Sequence, residues 1–391
     1  MSSPPLIRCA VRKLPAASLL LGFALLSVAC REHAAFDPAY HEYAYVTNGQ
    51  SNSVSVIDTQ ALRNVKTVPV GKNPTGITAN PARNEIYIAN SDSNNVTIIS
   101  AERNEVVATI GVHRAPYFVS VSSDGKRAYV ANSGSSNLSV IDLDRRAVVA
   151  TIPVGNAPGL AKVSPDGSVV AVSNRADNTV SLIDARKLAV RNTVSVCVQP
   201  QDLVILPDSS KVFVACPGSN QLASIDLKTD RLLALLDVGK LPIQLALKPD
   251  GGEIFVSNFD ANSFSIVEAY TNEVSGSYLI GRNPVRGEIT SDNTLLYVSN
   301  FGSDAISVYA IDEGRVIGSV PVGSHPDGLT LTPNGEHLLV VDTKSGDVAV
   351  VRTVKTRDNS KISADRALVT LIPVGNQPND IVIKAFKNTA K

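Results

Sequence analysis

A constant spacing between prolines restricts what this chain can fold into more than any other feature. Seven prolines follow one another at intervals of 42 residues, and an eighth follows the seventh after 52. They are Pro74, Pro116, Pro158, Pro200, Pro242, Pro284, Pro326 and Pro378. The tetrapeptide Tyr-Val-Thr-Asn, which ends at Asn48, recurs in phase with them in varied forms. A fixed period of this length indicates a stack of repeated supersecondary units.

Each unit contains four short runs typical of β-strands, separated by turn residues such as Gly, Pro, Asn and Asp. In the second unit the runs are Ile77–Ala79, Glu85–Asn90, Val96–Ser100 and Val106–Ile110. Thin four-stranded units of this size bury their faces by stacking around an axis as propeller blades. The chain begins with the second strand of a unit and ends with a first strand at Asp380–Ile383. The sequence therefore predicts an all-β, eight-bladed propeller, closed by pairing of the C-terminal strand with the first blade. We name the four strands of each blade a to d from the channel outwards.

The repeated motif resembles the YVTN family of β-propeller proteins. The tetrapeptide Tyr45–Asn48 and the Val-Gly-x-x-Pro segment Val70–Pro74 carry the resemblance, which extends from about Tyr43 to Ile383. It implies the propeller fold and leaves the function open, since the family includes surface-layer proteins, exported binding proteins and propeller domains of redox enzymes. Many of its members have seven blades, and the count of eight departs from them.

The first 29 residues have the pattern of a secretory signal peptide. Three basic residues, Arg8, Arg12 and Lys13, precede an uncharged apolar stretch that is too short for a stable membrane span. The segment Leu26–Cys30 resembles a bacterial lipobox, which implies lipidation of Cys30. Ordinary cleavage, which would release a soluble exported protein, is the alternative.

These features predict four segments: a signal peptide at 1–29, a tether at 30–41, the propeller at 42–386 and a tail at 387–391. The residue after Cys30 is Arg31 and not the Asp that usually retains a lipoprotein at the inner membrane. We therefore expect an exported protein of the cell envelope, anchored to the membrane through Cys30. In a cell with two membranes the anchor would lie in the outer one and the protein would face the periplasm.

Charge and missing motifs exclude several classes of function. Lys and Arg balance Asp and Glu at 36 each, and removal of the three basic leader residues leaves 33 against 36, a net charge of −3. Nucleic-acid binding is therefore not favoured. The sequence contains neither a Cys-x-x-Cys-His haem attachment site nor the Gly-x-Ser-x-Gly, His-Glu-x-x-His or P-loop motifs. No motif indicates a cofactor, and we expect a monomer that acts as a binding protein rather than an enzyme.

The candidate site follows from divergence among the repeats at strand a, which borders the central channel. An apolar position such as Ile77 or Val119 should pack between blades, and its variable neighbours should face the channel. The candidate residues are Lys162, Asp202, Arg286, Glu288 and Asp380, with Tyr117 and His325 at the rim. Their mixed charge suits a small ligand that is polar or zwitterionic, a peptide, or a divalent cation held by the three carboxylates. Alternatively, Arg286 pairs with Glu288 or a neighbouring Asp and only fills the channel.

Other residues have a structural and a functional interpretation. His325 and His113 are expected in surface loops rather than as haem or metal ligands. The channel mouth is the face of the ring that carries the d–a and b–c loops. Phe259 and Phe301 either form an apolar patch there or pack locally. The insertion in blade 8 lies in segment 352–366, which has five basic and two acidic residues. It is either a solvated loop or a contact for an anionic lipid or partner.

The Asn that ends the repeated tetrapeptide, such as Asn48, is called the motif Asn below. It should hold backbone groups of the neighbouring d–a turn, the loop that joins strand d to strand a of the next blade. In one repeat Cys216 replaces this Asn, and Cys197 replaces the turn glycine that corresponds to Gly71. Two cysteines at contacting positions in an exported protein predict a disulfide.

Four functions remain open. The first is a binding module that uses the channel-mouth face for a ligand or protein partner. The second is a metal-dependent hydrolase or isomerase of lactones or sugars, with the metal at Asp202, Glu288 and Asp380. The third is a haem d1 or quinone-linked redox role with His325 or His113 as the axial ligand. The fourth is binding of single-stranded DNA, against which the net charge argues.

Overall fold

The structure is a computed structural model in which residues 39–353 and 367–387 are described. The predicted leader, Cys30 and the tether as far as residue 38 lie outside these ranges. So do residues 354–366, which include most of the basic insertion, and residues 388–391. Within the described ranges, none of the helical residues forms a segment long and apolar enough to span a membrane.

The described residues form eight antiparallel sheets of four strands each, which confirms the predicted eight-bladed propeller. Blade 1 comprises β1 (Tyr40–Asn48), β2 (Ser53–Asp58), β3 (Arg63–Pro69) and the last strand, β32 (Pro378–Lys387). Blade 2 comprises β4 (Pro74–Ala79), β5 (Glu85–Asn90), β6 (Asn95–Ser100) and β7 (Glu105–Gly111). Blade 3 comprises β8 (Pro116–Val121), β9 (Arg127–Asn132), β10 (Asn137–Asp142) and β11 (Ala147–Pro153). Blade 4 comprises β12 (Pro158–Val163), β13 (Val169–Asn174), β14 (Thr179–Asp184) and β15 (Ala189–Ser195).

The remaining blades repeat this order. Blade 5 comprises β16 (Leu203–Ile205), β17 (Lys211–Cys216), β18 (Gln221–Asp226) and β19 (Arg231–Asp237). Blade 6 comprises β20 (Pro242–Leu247), β21 (Glu253–Asn258), the 3-10 turn Phe259–Ala261, β22 (Ser263–Glu268) and β23 (Glu273–Leu279). Blade 7 comprises β24 (Pro284–Ile289), β25 (Leu295–Asn300), β26 (Ala305–Ala310) and β27 (Arg315–Pro321). Blade 8 comprises β28 (Pro326–Leu331), β29 (His337–Asp342), β30 (Asp347–Arg352) and β31 (Leu368–Pro373).

Pairing of the chain ends closes the ring, as predicted. Strand β32 runs antiparallel to β1 with Tyr45 opposite Val382, and the pairing extends outwards to Tyr40 opposite Lys387. The closure places strand a of blade 1 at the C-terminus of the chain. It pairs two strand edges that would otherwise be free to associate with other chains.

The core lies between neighbouring blades and not within them. Tyr45 and Val54 of blade 1 pack against Ile77 and Ile88 of blade 2 in one buried cluster, and Ile381 of blade 1 joins a cluster with blade 8. The apolar position of strand a therefore packs between blades, as the sequence predicts. Each blade depends on its two neighbours for burial of both faces, which explains why the units fold only as a ring.

The motif Asn acts differently from the prediction in most blades. In blade 1, Asn48 accepts a hydrogen bond from the Gly375 N–H of the d–a turn, as expected. In blade 2, Asn90 instead donates to Thr97 of its own strand c, and its side chain lies against Gly71, where an added Cβ would come within 2.6 Å. The close approach explains why a glycine stands in the turn. The Asn therefore joins strand b to strand c and packs against the turn.

The predicted disulfide joins Cys197 and Cys216 in blade 5, with Cα atoms 5.7 Å apart. Both residues are buried. Because the motif Asn and the turn glycine are in contact in other blades, cysteines at these two positions lie within bonding distance.

Candidate functional site

Strand a of every blade runs along the central channel, and its first residues enclose a cavity of about 400 Å³ near the d–a turns. All eight blades contribute to the lining. The charged residues that line the cavity are Lys162, Asp202, Arg286, Asp327 and Asp380. Tyr117, Phe118, Gln201 and Gln244 add aromatic and amide groups. Five of the seven predicted site residues line this cavity, namely Lys162, Asp202, Arg286, Asp380 and Tyr117.

Arg286 is held by two carboxylates from other blades. Its Nε lies 3.2 Å from Asp327 Oδ1, and its Nη1 lies 3.4 Å from Asp380 Oδ1. Burial acts to lower the pKa of Arg286, but the Asp380 and Asp327 carboxylates outweigh it and raise this pKa above its ordinary value. The guanidinium therefore stays charged, and it pairs with these aspartates rather than with Glu288.

Asp202 ties two neighbouring inner strands together. Its Oδ1 accepts the N–H of Leu203, and its Oδ2 accepts the N–H of Leu245 on strand a of blade 6, each at 2.9 Å. Gln244, at the equivalent position of blade 6, accepts the Gly287 N–H of blade 7 at 2.9 Å. Strand a is the edge of each sheet, so its channel-facing N–H groups need acceptors from elsewhere.

Asp380 follows the same rule, since it accepts the Ile77 N–H of blade 2. Burial raises the pKa values of Asp202 and Asp380, and the cations Lys162 and Arg286 respectively oppose this effect. Both carboxylates are thus bridges between blades as well as parts of the cavity wall.

Glu288 lies two residues beyond Arg286 and does not line the cavity. It accepts the Leu331 N–H of blade 8, which is the same kind of bridge further along the channel, and burial raises its pKa to about 7. Within the described ranges, no group of three or more His, Cys, Asp and Glu side chains is arranged to hold a metal ion. The structure therefore does not bring Glu288 together with Asp202 and Asp380 as a cation site.

Lys162 forms no ion pair with any of the described acidic groups, although its charge acts on the Asp202 carboxylate of the next blade. Its Nζ lies 5.0 Å from the centre of the Phe118 ring, a cation–π contact with the neighbouring blade. A second such contact forms at the mouth, where the Arg175 guanidinium lies 5.0 Å from the centre of the Tyr117 ring. Arg175 is itself held by the Ser133 hydroxyl at 2.9 Å.

His325 lies outside the cavity lining. It occupies the turn position before Pro326 with a left-handed backbone (φ 59°), and its ring meets the Phe301 ring edge-on at 4.4 Å between centroids. The Phe301 and Phe259 ring centroids lie 6.4 Å apart and both side chains are partly buried, a contact that fits local packing as well as an apolar patch. His113 is also outside the cavity, with its Nε2 3.2 Å from the Thr151 hydroxyl.

The sequence analysis missed Asp327 and Arg175. Asp327 directly follows the repeat proline, where the other blades have residues as different as Thr75, Gly159 and Ile243. Arg175 directly follows the motif Asn, where the repeats also diverge. The same test of divergence, applied to these two positions, would have found both residues.

Two family models match the chain. One, described as the choice-of-anchor I domain, matches residues 32–265, which is more than half of the chain. The other, described as lactonase, 7-bladed beta-propeller, matches residues 282–367. No curated protein matches the chain.

Several solved structures share the fold. Hydrazine synthase from Kuenenia stuttgartiensis is similar with a TM-score of 0.59 and 22% identity, covering 72% of this chain and 96% of that one. The dihydro-haem d1 dehydrogenase NirN, solved in complex with DHE, is similar with a TM-score of 0.73 and 15% identity, covering 87% of this chain and 74% of that one. A functionally unknown protein from Desulfotomaculum acetoxidans DSM 771 has a TM-score of 0.58 and 16% identity, covering 71% of this chain and 94% of that one. At these identities the likeness concerns the fold alone.

Proposed function

The chain belongs to the choice-of-anchor I domain family, and we propose that this member is an exported binding module that takes a small zwitterionic ligand into the mouth of its channel. The proposal depends on one observation, the Lys162 ammonium in the cavity wall without an ion pair from the described residues. A ligand carboxylate or phosphate would form the close ion pair that Asp202 does not form with Lys162.

The rest of the wall favours a ligand that also carries a positive group. Lys162 and Arg286 oppose Asp202, Asp327 and Asp380, so the five charges leave a net charge of −1. Asp202 and Asp380 have their oxygens partly engaged by backbone N–H groups. Asp327 is the carboxylate with the fewest such contacts, and it faces the cavity beside Arg286. A ligand with an anion near Lys162 and a cation near Asp327 would satisfy both ends.

The cavity walls can bind the ligand without rearrangement. Bridges from Asp202, Gln244 and Asp380 to the next inner strand fix the distances between blades around the cavity. A preformed polar site loses little conformational entropy when a ligand binds. The function is therefore recognition by a rigid ring of side chains.

Native mass spectrometry of the protein from its own envelope tests this proposal. The expected result is a bound mass of a small molecule that is lost in Lys162→Met, which keeps an unbranched chain over Phe118 but removes the charge. Lys384→Met is the matched control, because Lys384 also lies on an inner strand, donates to the Asn80 carbonyl at 2.7 Å and is not part of the cavity. A bound mass retained in Lys162→Met, or a bare polypeptide in the wild type, would contradict the proposal.

The anchor is a separate part of the proposal. It rests on the lipobox-like segment that ends at Cys30 and on the YVTN-like repeats, which occur in exported proteins. We expect a radioactive fatty acid fed to the cells to label the wild type and not Cys30→Ala. Release of an unlabelled wild type into the soluble fraction would argue for ordinary cleavage.

A lactonase-like hydrolase is a second candidate because the lactonase family model matches residues 282–367, which include blade 7 and much of blade 8. Glu288 lies in this region, and a pKa near 7 suits a general base. The described residues offer no metal cluster, so a metal-dependent form fits them poorly. Hydrolysis of a δ-lactone probe that is abolished in Glu288→Gln, with binding at Lys162 unchanged, would favour this candidate over the binding module.

The haem d1 alternative fits the site less well. NirN has a related fold, but neither His113 nor His325 lines the channel cavity, and the described part of the wall offers no other histidine. An absorption spectrum without a Soret band after incubation with haem d1 is the expected result.

A further inference from the structure

A second cavity, of about 350 Å³, lies between blade 8 and blade 1 on the side of the ring opposite the channel mouth. His337, at the start of strand b in blade 8, forms one wall together with Glu336. Glu42 and the c–d turn of blade 1, residues 59–62, form the other. At two other junctions a basic side chain of the protein crosses the equivalent space.

Lys211 shows how the space is filled between blades 5 and 6. Lys211 is the counterpart of His337 in the repeat, and its Nζ reaches across to blade 6. It donates to the Ala269 carbonyl at 3.0 Å, the Tyr270 carbonyl at 2.8 Å and Asn272 Oδ1 at 3.3 Å. Blade 3 repeats the arrangement, since Arg127 donates to the Ala185 carbonyl of blade 4 at 2.7 Å. A basic side chain thus crosses the junction between blades 5 and 6 and the junction between blades 3 and 4.

The counterparts of these acceptor residues line the cavity between blades 8 and 1. Thr59, Gln60 and Leu62 correspond in the repeat to Ala269, Tyr270 and Asn272, and all three border the cavity. His337 is too short to reach them as Lys211 reaches its partners. The cavity is therefore the space that a lysine side chain occupies at the other junction.

The cavity also contains a carboxylate that is absent from the equivalent junction between blades 5 and 6. Glu42 stands where blade 6 has Gly252, and only 6% of its surface is exposed. Its carboxylate accepts hydrogen bonds from the Thr59 hydroxyl at 2.8 Å and the Tyr40 hydroxyl at 2.5 Å. None of the described cations forms an ion pair with it. A buried carboxylate without a cation is unfavourable unless something supplies one.

The other described groups around the cavity do not take the place of the lysine ammonium found at the blade 5–6 junction. Burial lowers the pKa of His337 below its usual value against the opposing effect of Glu336 and Glu42, which disfavours a charged imidazole at this site. Arg352 lies opposite His337 in the strand register, but it is exposed and does not line the cavity. Glu336 adds a second carboxylate at the rim.

We propose that this cavity is a binding site for a small organic cation with a primary ammonium on an alkyl chain, which takes the place of the lysine side chain of the equivalent junction. The ammonium would lie near the Glu42 carboxylate and the backbone of residues 59–60, and the alkyl chain would lie along Leu62. The site is distinct from the channel mouth, so Lys162→Met should leave it unchanged.

NMR titration of the isotope-labelled full chain with n-butylammonium tests the proposal, with n-butanol at the same concentrations as the uncharged probe. Saturable shifts of the amides of Thr59, Gln60 and Leu62 are expected with the ammonium and not with the alcohol. Glu42→Gln, which keeps the side-chain shape, should weaken binding at least tenfold.

Two lysine variants complete the test. His337→Lys should abolish the shifts, because the chain then fills the cavity as Lys211 does, and it should raise the melting temperature. Lys211→His is the matched control and should leave butylammonium binding between blades 8 and 1 unchanged. The absence of saturable shifts in the wild type, equal shifts with butanol, or unchanged binding in both Glu42→Gln and His337→Lys would overturn the proposal.

Discussion

Blade 5 and blade 8 differ from the rest of the ring at the same point, the last residue of strand b. In six blades this residue is Asn, and in five of them it packs against a glycine of the d–a turn, whereas blade 3 has His113 at the turn position. Blade 5 has Cys216 there and closes the contact with a covalent bond to Cys197. Blade 8 has Asp342, whose Oδ2 accepts the Gly323 N–H at 3.0 Å.

The difference shows what this position requires. In all six Asn blades the amide donates to a hydroxyl of strand c, and in blade 1 its oxygen also accepts the turn N–H, whereas an ionised carboxylate provides only acceptors. Asp342 is fully buried and lies beside Asp347, and both burial and this neighbour raise its pKa to about 8. Blade 5 thus closes its turn by a bond that does not titrate, and blade 8 by a group that does.

Removal of the disulfide should have the largest effect. In the double variant Cys197→Ser, Cys216→Ser, we expect the free energy of unfolding in urea to fall by about 3 kcal/mol, since a closed loop of this length no longer restricts the unfolded chain. The repaired pair Cys197→Gly, Cys216→Asn should recover part of the loss, because it restores the contact of the other blades. A repaired variant no more stable than the serine variant would show that blade 5 cannot adopt the common arrangement.

Replacement of Asp342 by Asn should stabilise the protein, and more so at higher pH. The folded-state pKa of about 8 lies above the ordinary Asp value of 3.8. The stability that protonated Asp342 contributes is therefore fully present below pH 3.8, the pKa of the unfolded chain, and is lost as the pH rises through the folded-state pKa of about 8. We expect Asp342→Asn to gain about 2 kcal/mol at pH 8 relative to the wild type, and much less at pH 4.

Urea unfolding of both proteins across this pH range measures the difference. Asp347→Asn is the control: it removes the neighbouring charge, so the wild-type pH dependence should become weaker but remain. A gain from Asp342→Asn that does not vary with pH would mean that Asp342 does not titrate in this range.

The fold could be predicted from the sequence because the same pattern of strands and turn residues recurs eight times. A single strand such as β5 would be a weak prediction, but Asn90, Gly71 and Pro74 recur in register and fix the strands, the blade count and the closure. The disulfide followed from the same alignment of repeats, since Cys197 and Cys216 stand at positions that are in contact in six of the other blades.

The site was only partly predictable because its residues are those in which the repeats differ. Divergence identified Lys162, Arg286 and Glu288 but could not tell which carboxylate would bind Arg286, since Asp327 lies one residue before the positions compared. The partner depends on how neighbouring inner strands are offset around the channel. That offset is a property of the closed ring and not of any one repeat.

The smallest expected change in unfolding free energy concerns the inner strands of blades 5 and 8. Asp202 of blade 5 accepts two backbone N–H groups, whereas Asp327 of blade 8 forms a partly exposed ion pair with Arg286. Asp202→Ala should cost about 1 kcal/mol of unfolding free energy because it leaves the Leu245 N–H without its acceptor. Asp327→Ala should cost about 0.5 kcal/mol or less, since partly exposed ion pairs contribute little. Urea unfolding of both variants at pH 7 checks the order, and an equal loss would mean that the bridges between inner strands do not hold the blades together.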